Sequence, residues 1–297
     1  MNTNPVVSVL MTAYNRADYI AEAIESVLNS SLQNFELIVV DDCSTDHTVE
    51  VIKKYSENDS RISFYVNEFN LGDYPNRNRA ASYAKGKYLK YVDSDDIIKR
   101  EGLKTMVDAM ELFPKAAFGF SQLNNPDINT PYSLTGEEAL RKHFLGGGLL
   151  QAGPSNSIIN TKAFRKLGGF SGKRFISDYE AWLLLCLEHP VVIFSPDLIW
   201  IRNHIGQEMD VGKLQYYSLN YNLHKFFIQN PENPFTEKER KQILYNYRIL
   251  LGRRVYQRLL RWFGLKKTLQ TIKASGENGF IFLWAFFPMK KFSNERV

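Results

Sequence analysis

A cluster of acidic residues follows an apolar run near position 92. Asp93-Ser94-Asp95-Asp96 comes directly after Lys87–Val92 and before Ile97-Ile98. Carboxylates packed this closely repel one another unless a cation or solvent lies between them. A hard divalent ion such as Mg²⁺ or Mn²⁺, itself bound to a diphosphate, suits such oxygen ligands. An isolated D-x-D would instead be interpreted as an acidic turn that caps a helix. The choice between a cation site and a capping turn therefore depends on the surrounding elements.

Two other carboxylate positions stand at the ends of predicted elements. Asp41-Asp42 follows the apolar run Phe35–Val40, and Asp178 precedes a predicted helix, Tyr179–Glu188. Taken alone, Asp41 and Asp42 fit a helix-capping turn. Asp178 fits an N-cap, a role that is compatible with catalysis.

The first hundred residues alternate strand and helix patterns that would position these groups. The predicted strands are Val6–Thr12, Phe35–Val40, Ile62–Val66 and Lys87–Val92, and the predicted helices between them are Ala17–Leu28, Asp46–Tyr55 and Tyr74–Ala84. Repeated βα units imply right-handed crossovers and a parallel sheet, whose ligand crevice lies at the carboxyl ends of the strands. The acidic clusters fall at those ends, which favours a binding site over an incidental turn.

Composition narrows the classes of protein that need to be considered. The 297 residues are 44% hydrophobic and 23% charged, which is typical of a folded globular protein. Two cysteines, Cys43 and Cys186, provide neither a disulfide framework nor a four-ligand zinc site, so a reducing cytoplasm is expected. Met1–Pro5 carries no basic residue, which predicts no secretory signal, and no apolar run approaches the ~20 residues of a membrane-spanning helix.

The ordered motifs resemble those of the family 2 glycosyltransferases with the GT-A fold, in the group that builds bacterial polysaccharides. The resemblance spans roughly residues 5–205. The matching segments are VSVLMTAYNR (7–16), FELIVVDDCSTDHT (35–48), NLGDYPNRNRA (70–80), GKYLKYVDSDD (86–96), KLGGF (166–170) and SDYEAWL (177–183). Each motif alone is weak, whereas their order and spacing together make chance similarity an inadequate explanation. The resemblance implies an α/β fold with a mainly parallel sheet flanked by helices, and transfer of a sugar from a nucleotide-sugar donor.

The resemblance also implies a set of nucleotide-binding residues. They are Thr12, Ala13, Tyr14, Asp41, Arg77, Asp93 and Ser94. Thr12, Ala13 and Tyr14 match the loop that touches the nucleoside, and Asp41 matches the aspartate that accepts from the uracil imide. Arg77 matches an arginine near the nucleotide, with a solvated helix face as an equal alternative.

For the Mn²⁺ or Mg²⁺ cofactor, the resemblance implies Asp95 as the direct ligand, with Asp93 and His204 as further candidates. Asp93 would lie nearer the sugar or ribose, and Asp96 would orient its neighbours by hydrogen bonding. His204 belongs to an R-x-H segment, although a lone histidine in a loop is usually only solvated. Trp182 and Trp200 are interpreted as core residues, with stacking against the acceptor as the alternative.

Asp178 matches the catalytic base of the family. An inverting transfer needs one carboxylate to take the acceptor hydroxyl proton as that oxygen attacks the anomeric carbon. Ser177 stands where the family often has Glu, which leaves Glu180 as an alternative base.

The predicted domains are a GT-A nucleotide-sugar-binding and catalytic domain over 1–210 and a helical, basic extension over 211–297. Residues 236–297 hold 14 Lys and Arg against four Asp and Glu, while the whole chain has a net charge of +5. The strongly apolar segment Gly279–Met289 has lysines on both sides, which predicts a helix lying on an anionic membrane surface. Packing on the catalytic domain, or a homo-oligomer contact, is the alternative.

The expected partners are the donor and a saccharide or lipid-linked acceptor, in surface polysaccharide or glycoconjugate assembly. The expected location is cytoplasmic or peripheral on the inner face of the cytoplasmic membrane. The alternatives are a sugar-phosphate nucleotidyltransferase and a non-catalytic nucleotide-sugar-binding relative. Thr12-Ala13-Tyr14-Asn15 after the first strand contains no glycine, which argues against a nucleotidyltransferase phosphate loop and a dinucleotide fold. Nucleic-acid binding is not expected, because the apolar residues of the tail follow helical spacing.

Overall fold

The computed structural model describes residues 4–121, 130–203, 208–260 and 265–290. Its strands are β1 (Val7–Ala13), β2 (Phe35–Asp41), β3 (Ile62–Val66), β4 (Tyr88–Tyr91), β5 (Ile97–Ile98), β6 (Phe118–Ser121), β7 (Tyr132–Leu134), β8 (Ser157–Asn160), β9 (Val191–Phe194) and β10 (Ile199–Trp200). Its helices are α1 (Ile20–Leu28), α2 (Thr48–Asn58), α3 (Asp73–Tyr83), α4 (Gly102–Leu112), α5 (Gly136–Leu145), α6 (Thr161–Leu167), α7 (Ser177–Glu188), α8 (Glu208–Gln229), α9 (Glu237–Leu259) and α10 (Leu265–Ser275). Two 3₁₀ helices cover Pro154–Asn156 and Gly279–Phe286.

The described chain forms two compact units. The first contains Met1–Ala139 and Leu150–Asn203, and the second contains Leu140–Leu149 and His204–Val297. The sequence did not indicate that the segment 140–149 joins the second unit. That 1–210 and 211–297 are separate domains stays a prediction.

The first unit is built on a mixed, mainly parallel sheet. In the described residues its strand order is β3-β2-β1-β4-β8-β6-β9-β7, with β8 and β7 antiparallel to their neighbours. Helices such as α1 and α4 cover it with a continuous apolar core, which includes Val9, Ile24, Leu37 and Met106. Burial on both faces explains why β1 and β2 are almost wholly apolar. The predicted α/β fold with a mainly parallel, helix-flanked sheet is confirmed.

The second unit is helical and consists chiefly of α8, α9 and α10. α9 begins with a capping box formed by Thr236 and Glu239. The Thr236 hydroxyl accepts from the Glu239 backbone N–H at 3.3 Å, and the Thr236 N–H donates to the Glu239 carboxylate at 2.8 Å. None of the helices in the described ranges is both long enough and apolar enough to cross a bilayer.

Candidate active site

The site lies where β1, β2 and β4 end side by side. These three strands are parallel and pair in register, Ala13 with Asp41 and Leu10 with Tyr91. Their carboxyl ends therefore meet at one edge of the sheet, as the sequence pattern predicts. The side chains that follow them form the candidate site.

Asp41 is buried at the end of β2 and organises the first two loops. The Ser44 hydroxyl and N–H donate to its two carboxylate oxygens at 2.5 and 2.8 Å. Asn15 joins the loops from the other side, because its side-chain oxygen accepts from the Thr45 N–H at 2.8 Å. Each Asp41 oxygen accepts one of these donors and keeps a second lone pair, while the residue as a whole is 0% exposed.

Of the three residues predicted to touch the nucleoside, Thr12 and Ala13 end β1, and Tyr14 begins the loop that follows. Tyr14 is 45% exposed, Thr12 is partly buried and Ala13 is buried. Tyr14 therefore offers a ring face to a ligand, while Ala13 anchors the loop in the core.

Asp42 has a structural role other than the predicted helix cap. Its carboxylate accepts from the Asn67 amide at 2.7 Å and from the N–H groups of Leu71 and Gly72 at 2.8 and 2.9 Å. These bonds hold the loop 67–72 that leads into α3. The N-terminal turn of α2 is instead held by Asp46, which accepts from the Thr48 N–H at 3.0 Å.

Arg77 does not lie on a solvated helix face; that alternative was wrong. Its side chain is only 10% exposed, and its guanidinium pairs with Asp73 at 2.6 Å and with Asp93 at 2.8 Å. It also lies over the Tyr91 ring, 5.5 Å from the centroid. Burial opposes its charge, but the two carboxylates hold the pKa of Arg77 well above its usual value. Arg77 thereby ties α3 to the D-x-D turn.

Asp93 is held from two sides. Besides Arg77, it accepts from the Ser155 hydroxyl at 2.9 Å. Although burial opposes ionisation, Arg77 and Ser155 hold the pKa of Asp93 below its usual value. The fully buried Lys90 fixes the turn that carries Ser155, because its ammonium donates to the carbonyl oxygens of Ser155 and Ser157.

Ser94, Asp95 and Asp96 complete the turn after β4. Ser94 is buried, and Asp95 pairs with Arg16 at 3.0 Å with 17% of its side chain exposed. Asp96 accepts from the Arg202 N–H at 3.2 Å, so it orients the segment after β10. Burial, together with the nearby Asp93 carboxylate, raises the pKa of Asp96 to about 7. The charges of Asp93 and Asp95 thus disfavour ionisation of Asp96.

This donor set fits one mode of divalent-cation binding. Among the described residues, no three His, Cys, Asp or Glu side chains are grouped to hold a metal ion. Mg²⁺ in nucleotide sites, however, needs only one or two carboxylates, with phosphate oxygens supplying other ligands. Asp95 and Asp93 meet that requirement, and His204 lies outside the described residues.

Asp178 is the second residue of α7 and not its N-cap, which is Ile176. The Tyr74 hydroxyl and the Tyr179 N–H donate to the same oxygen, Oδ1, at 2.7 and 2.8 Å. In the described part of the chain Oδ2 receives no donor. Burial raises the pKa of Asp178 to about 6, and the hydrogen bonds from Tyr74 and Tyr179 limit the rise. A carboxylate with a free oxygen and a pKa near neutrality has the properties of a general base.

Glu180 lies in a different environment. It is buried, and its two oxygens accept from the Ser171 hydroxyl and, at 2.6 Å, from the Lys173 ammonium. The carboxylate is therefore engaged in holding the segment before α7.

The two tryptophans differ in burial. Trp182 is in the core, as predicted, and its indole N–H donates to the Ala152 carbonyl at 2.8 Å. The prediction for Trp200 was wrong. Its side chain is 48% exposed, and the Arg202 guanidinium lies 4.8 Å from its ring centroid.

Several residues that shape the site were not singled out from the sequence. They are Arg16, Ser44, Asp73, Tyr74, Lys90 and Ser155. Most belong to the quoted motifs. Ser44 and Asp73 have partners within four positions, but the other four have distant ones: Tyr74 and Asp178 are 104 positions apart. Asp73 and Tyr74 could have been identified as site residues because they belong to the motif NLGDYPNRNRA.

The sequence matches the model of the family described as Glycosyl transferase family 2 over residues 8–168. TuaG of Bacillus subtilis (strain 168), whose name provisionally assigns it to teichuronic acid biosynthesis, is 36% identical over 154 residues, 49% of this chain and 61% of TuaG. WfgD of Escherichia coli is named as a UDP-Glc:α-D-GlcNAc-diphosphoundecaprenol β-1,3-glucosyltransferase. It is 28% identical over 234 residues, 76% of this chain and 88% of WfgD. The match to TuaG therefore spans less than two thirds of that relative's length.

Solved structures show the same fold. The structure of S. aureus TarS 1–349 in complex with UDP-GlcNAc superposes with a TM-score of 0.70 at 21% identity, covering 90% of this chain and 79% of that chain. The mannosyltransferase PcManGT from Pyrobaculum calidifontis, in complex with GDP-Man and Mn²⁺, gives a TM-score of 0.63 at 16% identity. That match covers 92% of this chain and 75% of PcManGT. At these identities the comparison concerns the fold alone.

Proposed function

Because this chain belongs to glycosyl transferase family 2, we propose that it transfers a sugar from a UDP-linked donor to a saccharide hydroxyl, with inversion at the anomeric carbon. The observation that carries the proposal is the arrangement at Asp178. One oxygen is fixed by Tyr74 and Tyr179, and the other is free of protein donors among the described residues. Family membership leaves the nucleotidyltransferase alternative without support.

In this proposal the nucleotide binds at the edge formed by β1, β2 and β4. Asp41 accepts from the uracil imide through a remaining lone pair, and the exposed Tyr14 ring lies against the nucleoside. Thr12, Ala13 and Ser94 shape the loops around it. Arg77 fixes Asp93, which faces the sugar or ribose. The UDP-sugars in the names of WfgD and the TarS complex support this choice of nucleotide.

A divalent cation, Mn²⁺ or Mg²⁺, would be held by Asp95, with Asp93 and His204 as further candidates. When bound, it would neutralise charge that develops on the departing diphosphate. Arg16, which pairs with Asp95 at 3.0 Å, already supplies a positive charge at the same carboxylate. The Mn²⁺ in the PcManGT complex supports the choice of metal.

Asp178 acts as the catalytic base. Its Oδ2 takes the proton of the acceptor hydroxyl while that oxygen bonds to the anomeric carbon. The bond between the anomeric carbon and the diphosphate oxygen breaks on the opposite face, which inverts the configuration. Glu180 is the alternative base, but its carboxylate is occupied by Ser171 and Lys173.

The acceptor in this proposal is a saccharide carried on a lipid, in surface polysaccharide assembly. The diphosphoundecaprenol in the name of WfgD supports a lipid-linked acceptor. The enzyme would then work at the inner face of the cytoplasmic membrane, with residues 1–210 as the catalytic domain and the basic region 236–297 meeting the bilayer.

The test is a panel of UDP-, GDP- and dTDP-sugars, in which hydrolysis and transfer are measured with Mn²⁺, Mg²⁺ or EDTA. We expect turnover of a UDP-sugar with a divalent cation, and an anomeric product of opposite configuration by NMR. Retention of configuration would exclude a single displacement with Asp178 as base. Binding without turnover of any donor would indicate the non-catalytic alternative.

A further inference from the structure

An exposed aromatic surface lies near the end of the second unit. The 3₁₀ helix Gly279–Phe286 has three residues per turn, so residues three apart share a face. Phe280, Leu283 and Phe286 lie on one such face and are 68%, 46% and 66% exposed. Phe287 and Met289 extend it at 50% and 40% exposure. We call these five residues the aromatic strip.

The strip is fixed on α9. Ile281, on a different face of the 3₁₀ helix, is 1% exposed and packs with Val255 and Leu251 in the core of the unit. Gly252 allows this close approach, because a Cβ there would lie 2.7 Å from the Ile281 carbonyl oxygen. Beyond the strip, Asn246 and Lys290 exchange two hydrogen bonds, at 2.9 and 3.0 Å. The exposed rings therefore belong to a packed surface.

Cations border the aromatic strip. The Arg253 guanidinium donates to the Phe287 carbonyl at 3.4 Å, and the Lys290 ammonium lies 4.7 Å from the Tyr245 ring centroid. Neither pairs with a carboxylate in the described part of the chain. Arg248 lies over Trp284 but is neutralised by Glu277 at 3.0 Å.

We propose that the aromatic strip, with Arg253 and Lys290, is a membrane-docking surface that inserts into an anionic bilayer. The inference deepens the proposed function, because it assigns the predicted membrane contact of 236–297 to particular residues. Rings and aliphatic side chains enter the acyl boundary, while cations at the same edge meet lipid phosphates. An anionic bilayer suits both the aromatic strip and the cations, because its apolar interior lies beneath a negatively charged layer of headgroups.

A second copy of the chain fits the surface less well. A two-fold contact through the strip would place the same patch of each copy against the other, so the cations of both copies would border one contact. The excess of Lys and Arg over Asp and Glu in 236–297, 14 against four, adds to this repulsion. The charge therefore favours the bilayer over a dimer.

The experiment is flotation of the full chain with vesicles of phosphatidylcholine alone and with 30% phosphatidylglycerol. We expect recovery with the anionic vesicles, reduced in 1 M NaCl. The Phe280→Ser/Phe286→Ser variant should lower the partition coefficient about tenfold or more, because it removes two large apolar groups. Arg253→Gln and Lys290→Gln should each lower it about fivefold at low salt.

Matched controls separate insertion from general hydrophobicity and charge. Phe226 is 67% exposed on α8, outside the strip, and Phe226→Ser should leave flotation unchanged. The exposed Lys162 of the first unit provides the charge control as Lys162→Gln. An unchanged thermal unfolding midpoint in every variant shows that the proteins are folded, so the flotation experiment requires no turnover.

Equal flotation of the wild type and the Phe280→Ser/Phe286→Ser variant would overturn the proposal. A wild-type dimer that the same variant converts to monomer, without flotation of either, would assign the strip to a second copy. Flotation of an enzyme without transferase activity would refute the proposed function and leave the docking surface standing.

Discussion

Tyr74 donates a hydrogen bond of 2.7 Å to Asp178 across 104 positions of sequence. Tyr74 is buried near the beginning of α3, and Arg77, one turn further along, pairs with Asp93 at 2.8 Å. Residues three apart lie on the same side of a helix. One helix face therefore positions both the candidate base and the D-x-D turn. Changes in α3 should consequently affect proton transfer and donor binding separately, according to which residue is changed.

The Tyr74→Phe variant should shift the acid limb of the kcat/KM profile upward. In the wild type, the Tyr74 hydroxyl stabilises the Asp178 carboxylate, whose pKa is about 6. Removal of this hydroxyl should raise the pKa of Asp178 further, by about one unit. Activity then falls away at a higher pH than in the wild type, because the base must be deprotonated. Tyr91→Phe is the control, since that hydroxyl donates to the Arg77 carbonyl at 3.1 Å and not to Asp178. An acid limb at the same pH in Tyr74→Phe and wild type would separate Tyr74 from the base.

Asp178→Asn should inactivate the enzyme and stabilise it. Turnover should fall ~10²–10⁴-fold while donor binding is retained. The folded-state pKa of about 6 exceeds the ordinary value of 3.8, so the wild type gains stability from the protonated form below about pH 4 and loses it as the pH rises to 6. Asn carries no charge and avoids this loss, which makes the variant more stable by about 1–3 kcal/mol at pH 7.5. Urea unfolding at pH 7.5 measures the difference.

Glu180→Gln is the matched comparison for the base. It removes the charge that pairs with Lys173 at 2.6 Å and should destabilise the fold by about 1–2 kcal/mol. Turnover of the folded protein should be retained. The opposite pattern, with Asp178→Asn active and Glu180→Gln inactive, would transfer the role of base to Glu180.

Arg77→Met should be strongly destabilising. The substitution leaves Asp73 and Asp93 without the guanidinium that joins them, and loss of a partner from a buried ion pair costs about 3–5 kcal/mol. Arg79→Met, on the exposed side of the same helix, should change the free energy of unfolding by less than about 0.5 kcal/mol. Thermal unfolding of the two variants gives the comparison. Equal stability would mean that Arg77 is solvated.

Asp95→Asn should weaken metal-dependent binding of UDP by at least about tenfold. A neutral amide is a poorer ligand than a carboxylate for a hard cation. Calorimetric titration of UDP with Mn²⁺ present and with EDTA measures the effect, which should vanish in EDTA. The exposed Asp18 provides the charge control as Asp18→Asn. An equal loss of affinity in EDTA would assign Asp95 to the nucleotide and not to a metal ion.

The parts of the structure that depend on local pattern were predictable. The predicted strand Val6–Thr12 differs from β1 by one residue at each end, because a parallel strand buried on both faces is a continuous apolar run. The burial of Arg77 was not predictable in the same way. α3 reads DYPNRNRAASY and has no apolar stripe, so the burial of Arg77 depends on its contact with Asp93 on another element. The exposure of Trp200 likewise depends on neighbours that its own segment does not specify.

Gly169 offers the sharpest test of how α3 and the segment before α7 are joined. Asn78 of α3 exchanges two hydrogen bonds with the backbone of Phe170, at 2.7 and 2.9 Å. Gly169 has φ +82°, and a Cβ there would lie 2.7 Å from the Asn78 side-chain oxygen. Gly169→Ala should therefore strain the backbone and also displace this contact.

Gly172→Ala has the backbone strain alone, so the difference between the two variants measures the displaced contact. Gly172 has nearly the same φ, +79°, but nothing lies within 4 Å of its Cβ position. Left-handed backbone costs an alanine about 1–2 kcal/mol, which both variants share. Gly169→Ala should lose more stability than Gly172→Ala. It should also lower kcat, because a shift of Asn78 moves α3 and with it Tyr74, which donates to Asp178 of α7. Equal unfolding free energies for the two variants would show that the contact of Asn78 with Phe170 does not hold α3 against that segment.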